Sequence, residues 1–214
     1  GDAIDLSWKL AATLKGWGGP KLLQSYEIER RQVGDRNIGA SRYASLGRRK
    51  WRAQWRPGFD DPTPEGEGLR RNLAEVADVE QRKTNEMIGA ELGYRYTDSP
   101  LLWDEPGGPE QLFRTYNPIA WTGARLPNAW LQPGTAMQDL IGRTYAILRM
   151  GGNVAGVDPL VRAFQEIGAP IAVLDFPQKR IRDLYGCDYF LVRPDLHIAW
   201  RGNALPDDPL SLAR

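Results

Sequence analysis

From residue 144 onward the chain alternates strand-like and helix-like patterns within about 60 residues. TYAILRM (144–150) reads as a buried strand and DPLVRAFQEIG (158–168) as an amphipathic helix. PIAVLDF (170–176) is a second strand and QKRIRDLYG (178–186) a short helix. DYFLVRP (188–194) and HIAWRG (197–202) follow as a hairpin across Pro194-Asp195-Leu196. Runs this short cannot bury both faces unless the strands share one sheet and the helices cover it, so the pattern predicts a small α/β unit. The order resembles a thioredoxin-like arrangement, with another small α/β unit as the alternative.

The first ninety or so residues have a different character. In residues 1–16, Leu6, Leu10 and Leu14 share one helical face with Ile4, Trp8 and Ala11 beside them. Asp2 reads as the helix cap, and GWGGPK (16–21) as a turn into a second helix from Pro20 to about Arg56. After the turn-rich FDDPTPEGEG (59–68), a third helix is predicted over 69–92, with Leu73, Val76, Met87 and Ile88 facing inward. Residues 94–134 are rich in Pro, Gly, Trp and Tyr, with strand-like pieces in SPLLW and FRTY. DDPLSLAR at the end reads as a helix that stops after its first turn. The expected class is therefore α+β / α/β: helices over 1–93, then an α/β domain over 94–214 with its core at about 122–204.

Composition excludes several function classes. With 28 basic and 27 acidic residues the net charge is +1, which provides no global field for nucleic acid or an anionic membrane. One cysteine, Cys187, rules out an intramolecular disulfide, and one histidine beside it rules against a Cys/His zinc site. No apolar run reaches the roughly 20 residues of a membrane helix. The absence of a signal-peptide pattern makes a soluble cytoplasmic protein the expectation.

Taken singly, the chemical candidates are modest. Gly151, Gly152 and Gly156 follow a strand, and Asp175 ends the next one, yet the second glycine of a dinucleotide fingerprint falls on Asn153. A strand-to-helix loop accounts for them better. GWGGPK lacks the spacing and the Lys-Ser/Thr pair of a phosphate loop. Cys187 precedes a strand instead of opening a helix, so it reads as a packing residue and the domain as redox-inert. His197 has no nucleophile beside it in sequence and reads as structural or solvent-facing. Glu27, Glu29, Arg30 and Arg31 read as a solvated helix face with one or two ion pairs. Trp51, Trp55, Trp103, Trp121 and Trp130 read as core or interface anchors.

The two ends of the chain carry a resemblance. GDAIDLSWKLAATLKGWGGPKLLQSYEIERR (1–31) resembles a flavin-side segment of the class A FAD-dependent aromatic hydroxylases. Asp2 and Ala3 fill its Asp-Ala pair, Asp5 stands where Asn is usual, and Leu6, Trp8, Lys9, Leu10 and Ala11 follow in register. Tyr26, Glu27, Glu29, Arg30 and Arg31 match the next helix. LVRPDLHIAWRG (191–202) resembles the carboxy-terminal thioredoxin-like domain of the subgroup that includes phenol, hydroxyphenylpropionate and polyketide hydroxylases.

The resemblance implies FAD as cofactor, NAD(P)H and O2 as co-substrates, and a phenolic or polycyclic aromatic substrate. It also implies Gly1 and Asp2 as the cofactor-side residues, no catalytic or metal-binding residue in this stretch, and a homodimer. Since the glycine-rich fingerprint and substrate sheet of that family find no match, the expectation is a carboxy-terminal portion of such an enzyme. By that expectation the chain alone is inactive, holds FAD poorly and depends on an amino-terminal partner portion. The competing reading is a non-catalytic thioredoxin-like module for interaction or dimerisation.

Overall fold

A computed structural model describes residues 1–152 and 154–213. The helical part comprises α1 (Asp2–Leu14), α2 (Leu22–Arg52), α3 (Pro64–Asn85) and α4 (Ile88–Leu92). A small hairpin follows, β1 (Trp130–Gln132) with β2 (Thr135–Ala136), then a 3-10 turn at Met137–Leu140. The remainder runs β3 (Tyr145–Met150), α5 (Asp158–Glu166), β4 (Ile171–Phe176), α6 (Lys179–Tyr185), β5 (Tyr189–Val192), β6 (Ile198–Gly202) and α7 (Pro209–Ala213).

The alternation read from the sequence beyond residue 144 is realised to within two residues at each element end. SPLLW and FRTY do not form strands. Pro100 interrupts the first, which is tied to β6 by one backbone bond, from Trp103 N–H to Ala199 C=O at 2.9 Å.

The strands form one sheet in the order β4-β3-β5-β6. β3 and β4 are parallel, joined through α5, while β5 runs antiparallel to both β3 and β6. Side chains alternate across the sheet. Leu148, Met150, Phe190 and Val192 pack on one face with Ile181 and Tyr185 of α6. Ile147, Leu191 and Trp200 pack on the other with Leu160 and Phe164 of α5. Phe190 and Ile147 have no exposed surface, so the sheet is a covered central layer.

Two compact units divide the chain. One comprises Gly1–Gln32, Arg95–Glu110 and the chain from Pro118 onward; the other comprises Val33–Tyr94 and Gln111–Asn117. This division does not coincide with a boundary at 93/94, because α1 and the start of α2 group with the sheet.

In the first unit, α1 turns a different face inward than its leucines indicate. Ile4, Leu10 and Leu14 are exposed, while Asp5, Trp8, Lys9 and Ala12 are buried. Trp8, Ala12 and Leu22 make a small apolar cluster with Trp17 and Tyr145, the Trp8 and Trp17 rings stacking at 6.4 Å. GWGGPK is the helix-to-helix turn expected. Gly16 takes φ 79°, and a Cβ on Gly18 would meet the Thr13 backbone nitrogen at 2.9 Å.

The second unit holds polar and half-buried contacts. The predicted third helix is two elements: α3 starts earlier, at Pro64, and a break at Glu86–Met87 separates it from α4. Leu73, Val76 and Met87 are half-buried and Ile88 is exposed, whereas Glu80 is buried between Lys50 (2.7 Å) and Lys83 (2.6 Å). Arg36 donates to the carbonyls of Gly89 (3.0 Å) and Leu112 (2.9 Å) and so ties α4 to residue 112. Thr63 is the N-cap of α3, its hydroxyl accepting from Gly66 N–H at 3.1 Å, with Pro64 in the first turn. Thr63→Ala is expected to lower the stability of this unit by about 1 kcal/mol, read by chemical denaturation followed by far-UV circular dichroism. An unchanged midpoint would show that the cap contributes nothing.

Candidate functional site

The start of α1 is the first element of the site. Gly1 is the N-cap, and no side chain caps the helix. Asp2 is not the cap expected from sequence, because it already lies in the helix. Its carboxylate accepts from Arg30 Nε at 2.6 Å, and that contact holds it below the usual carboxylate range. Arg30 also donates to the Tyr96 hydroxyl at 3.1 Å. A Cβ at Gly1 would sit 2.6 Å from the Arg30 guanidinium, so a larger residue there would have to displace the end of that side chain. An uncapped helix start carries partial positive charge and accepts an electron-rich group.

The second element is a buried charge cluster that sequence reasoning did not assemble. Lys9 Nζ donates to Asp5 (2.9 Å) and Glu29 (2.6 Å). Arg193, fully buried, makes a two-pronged contact with Glu29 at 2.5 and 2.9 Å and also reaches Asp5 at 3.1 Å. Asp195 accepts from the same guanidinium at 2.6 and 3.1 Å. Ser99 Oγ donates to Glu29 at 2.5 Å. The guanidinium lies over both the Trp8 and the Tyr96 rings, 5.3 Å from each centroid.

Burial pushes the Asp5 carboxyl up to about 6, with Glu29 adding to the rise and Lys9 and Arg193 opposing it. Burial acts the same way on Glu29 and Asp195, but Arg193 overcomes it, and both carboxyls lie below their ordinary range. Three carboxylates thus share two cations in a volume closed to water.

Several expected surface residues are relocated by this cluster. Glu29 is in its centre, whereas Glu27 and Arg31 stay exposed and loosely paired at 3.9 Å. His197 is buried. Its backbone N–H donates to Asp195 at 3.2 Å, and its ring lies 4.5 Å from that of Tyr96. The signal available in sequence was helical spacing: Asp5 and Lys9 are four apart, and both lie on the side of α1 opposite Leu14.

Other sequence candidates stay apart from the cluster. Asp175 is bound by Arg149 on the neighbouring strand at 2.5 and 2.6 Å, so it is occupied by an ion pair. Gly151 opens the loop after β3 at φ 81°; Asn153 lies outside the described residues. Cys187 is half-buried against the sheet core, and burial raises its thiol. It precedes β5 and opens no helix, which leaves it without the dipole that activates a redox thiol. Cys187→Ser is accordingly expected to leave the fold intact, and neither form should reduce a disulfide substrate such as insulin. Turnover by the parent chain that vanishes in the variant would contradict this. Of the tryptophans, Trp55, Trp103 and Trp130 are exposed, while Trp8 and Trp200 are the buried ones.

An open groove of about 560 Å³, lined by none of the cluster's charged residues, lies between the turn at Trp17–Lys21, the segment at Leu101–Trp103 and the end of α7. Tyr145 and Phe164 form its floor. Among the described residues no cluster of His, Cys, Asp and Glu is placed to hold a metal ion, and no helix is long and apolar enough to cross a membrane.

Comparison with known proteins joins these two elements. Residues 119–213 match the model of the aromatic-ring hydroxylase carboxy-terminal domain, and residues 1–41 match an FAD-binding domain model. FAD-dependent monooxygenase apdD of Emericella nidulans is 31% identical over 95% of this chain and 34% of its own length. Phenol 2-monooxygenase of Pseudomonas sp. strain EST1001 is 27% identical over 97% of this chain and 39% of its own length.

Among solved structures, the rebeccamycin biosynthetic enzyme RebC with reduced flavin superposes with TM-score 0.86 at 37% identity, over 99% of this chain and 39% of RebC. The flavin-dependent monooxygenase PieE, in complex with FAD and substrate, gives TM-score 0.74 at 27% identity, over 99% of this chain and 42% of PieE. The chain therefore spans little more than a third of its relatives' length. Its residues 119–213 thus match the carboxy-terminal domain of the aromatic-ring hydroxylases and its residues 1–41 an FAD-binding domain, and over nearly its whole length the chain is similar to FAD-dependent monooxygenase apdD and to RebC.

Proposed function

We propose that this chain serves an FAD-dependent monooxygenase that hydroxylates a phenolic or polycyclic aromatic substrate with NAD(P)H and O2. The observation that carries the proposal is that residues 1–32 of the FAD-binding match and the hydroxylase carboxy-terminal match lie in one compact unit, joined by a buried charge cluster. In this reading residues 1–93 belong with a flavin domain, and residues 94–214 are a thioredoxin-like domain without redox chemistry. An amino-terminal portion supplies the rest of the flavin and substrate sites, and the assembled enzyme is a homodimer in the cytoplasm.

Gly1 and Asp2 are the cofactor-side residues. The uncapped start of α1 fits the electron-rich edge of a flavin, and the tie between Asp2 and Arg30 keeps the Asp2 carboxylate from folding back over the helix start. FAD, when bound, supplies the redox chemistry by which NAD(P)H and O2 are used. The chain's own residues hold the helix that stabilises the charge which develops there.

A full-length protein that includes this chain is expected to purify yellow. It should consume NAD(P)H and O2 in the presence of a phenol, and the product should gain one oxygen atom by mass spectrometry. A colourless protein that forms dimers and gains no flavin would favour the non-catalytic module instead.

A further inference from the structure

We propose that Arg193, at the turn of the β5–β6 hairpin, is a positioning residue: it fastens α1 and the start of α2 to the carboxy-terminal domain through Asp5 and Glu29. The apolar hold on α1 is slight. Of its large apolar residues only Trp8 is buried, and Ile4, Leu10 and Leu14 face outward. What replaces an apolar seam is one guanidinium with carboxylates on three sides, 188 residues from Asp5 and 164 from Glu29 in sequence.

A planar fork bound to Asp5, Glu29 and Asp195 at once is held in one orientation, so it fixes both the rotation of α1 and its height against the hairpin. The hairpin is shaped for this. Leu196 takes a left-handed φ of 66°, and its N–H bonds to the Arg193 carbonyl at 2.9 Å. Asp195, two residues on from Arg193 in that turn, holds its Nε side. A lysine would carry the charge but could not span the three acceptors. The carboxy-terminal domain thereby sets where the start of α1 lies. The consequence for flavin rests on the reading above that this helix start is the cofactor side.

Native-state hydrogen exchange on the full chain tests the fastening without any variant. The slow amides of α1 are expected to open in the same step as those of β5 and β6. An α1 that opens independently, well before the hairpin, overturns the proposal. In Arg193→Lys, α1 amides are expected to exchange about a hundredfold faster while β3 and β4 change less than about threefold. Uniform acceleration of all elements, or no change in α1, also overturns it.

The flavin consequence has its own readout in the full-length, flavin-loaded protein. There Arg193→Lys is expected to lower the flavin midpoint potential and shift its absorption band, because the helix dipole is no longer held in place. Loosened α1 amides with an unchanged potential and spectrum would overturn the flavin-side reading and leave the fastening standing. A rigid α1 would overturn the fastening itself.

Discussion

Glu29→Ala is expected to destabilise the chain by about 3–5 kcal/mol, because it leaves Lys9 and Arg193 buried with one anion fewer. The cost comes from the cations left behind more than from the bond lost, since a buried charge without its partner keeps the full desolvation penalty. For a domain of this size that corresponds to a fall in Tm of roughly 10 °C. Glu27→Ala, two residues away on the same helix, is the control. Its carboxylate is exposed and only loosely paired, so it is expected to change little. The two variants together test burial against charge. If they shift the denaturant midpoint equally, the cluster is not the closed, dry site that its geometry describes.

Much of the fold was legible because the α/β segment obeys two local rules at once. Its strands are short continuous apolar runs and its helices are amphipathic, so length and periodicity agreed. The helical segment was read less well, for a physical reason. In α1 the leucines define an apolar face, but burial follows the partners available, and two charges with matched partners displaced that face from the interior. Glu29 and Arg193 are 164 residues apart in sequence, and no local spacing announces that they meet.

The cap at Asp2 failed on a single-residue shift of the helix start, the least certain feature of any helix reading. The split of the third helix at Glu86–Met87 was hidden because the apolar spacing continues through the break. What pointed to the site was the match of LVRPDLHIAWRG and the opening segment to one family. The structure adds that these two stretches touch through Asp5, Glu29 and Arg193.

Asp5 makes the cluster sensitive to pH in a direction opposite to that of most carboxylates. Its pKa is raised from 3.8 to about 6 by burial, so the folded chain binds this proton more tightly than the unfolded one. The stability it contributes is fully present below pH 3.8, is lost as pH rises towards 6, and stays lost above that. Glu29 and Asp195, whose carboxyls are lowered, act the other way and lose their contribution in acid.

Asp5→Asn separates the two effects, because it removes the one carboxyl of the cluster whose value is raised and keeps the shape of the side chain. The variant is expected to match the parent chain near pH 4, where Asp5 is already protonated. It should gain on the parent by about 2–3 kcal/mol once the pH passes 7, where the parent must bury a third carboxylate beside two cations. Denaturation midpoints of both chains between pH 4 and 8 provide the comparison. A constant difference across that range would mean that Asp5 stays ionised throughout, with Lys9 and Arg193 compensating it fully.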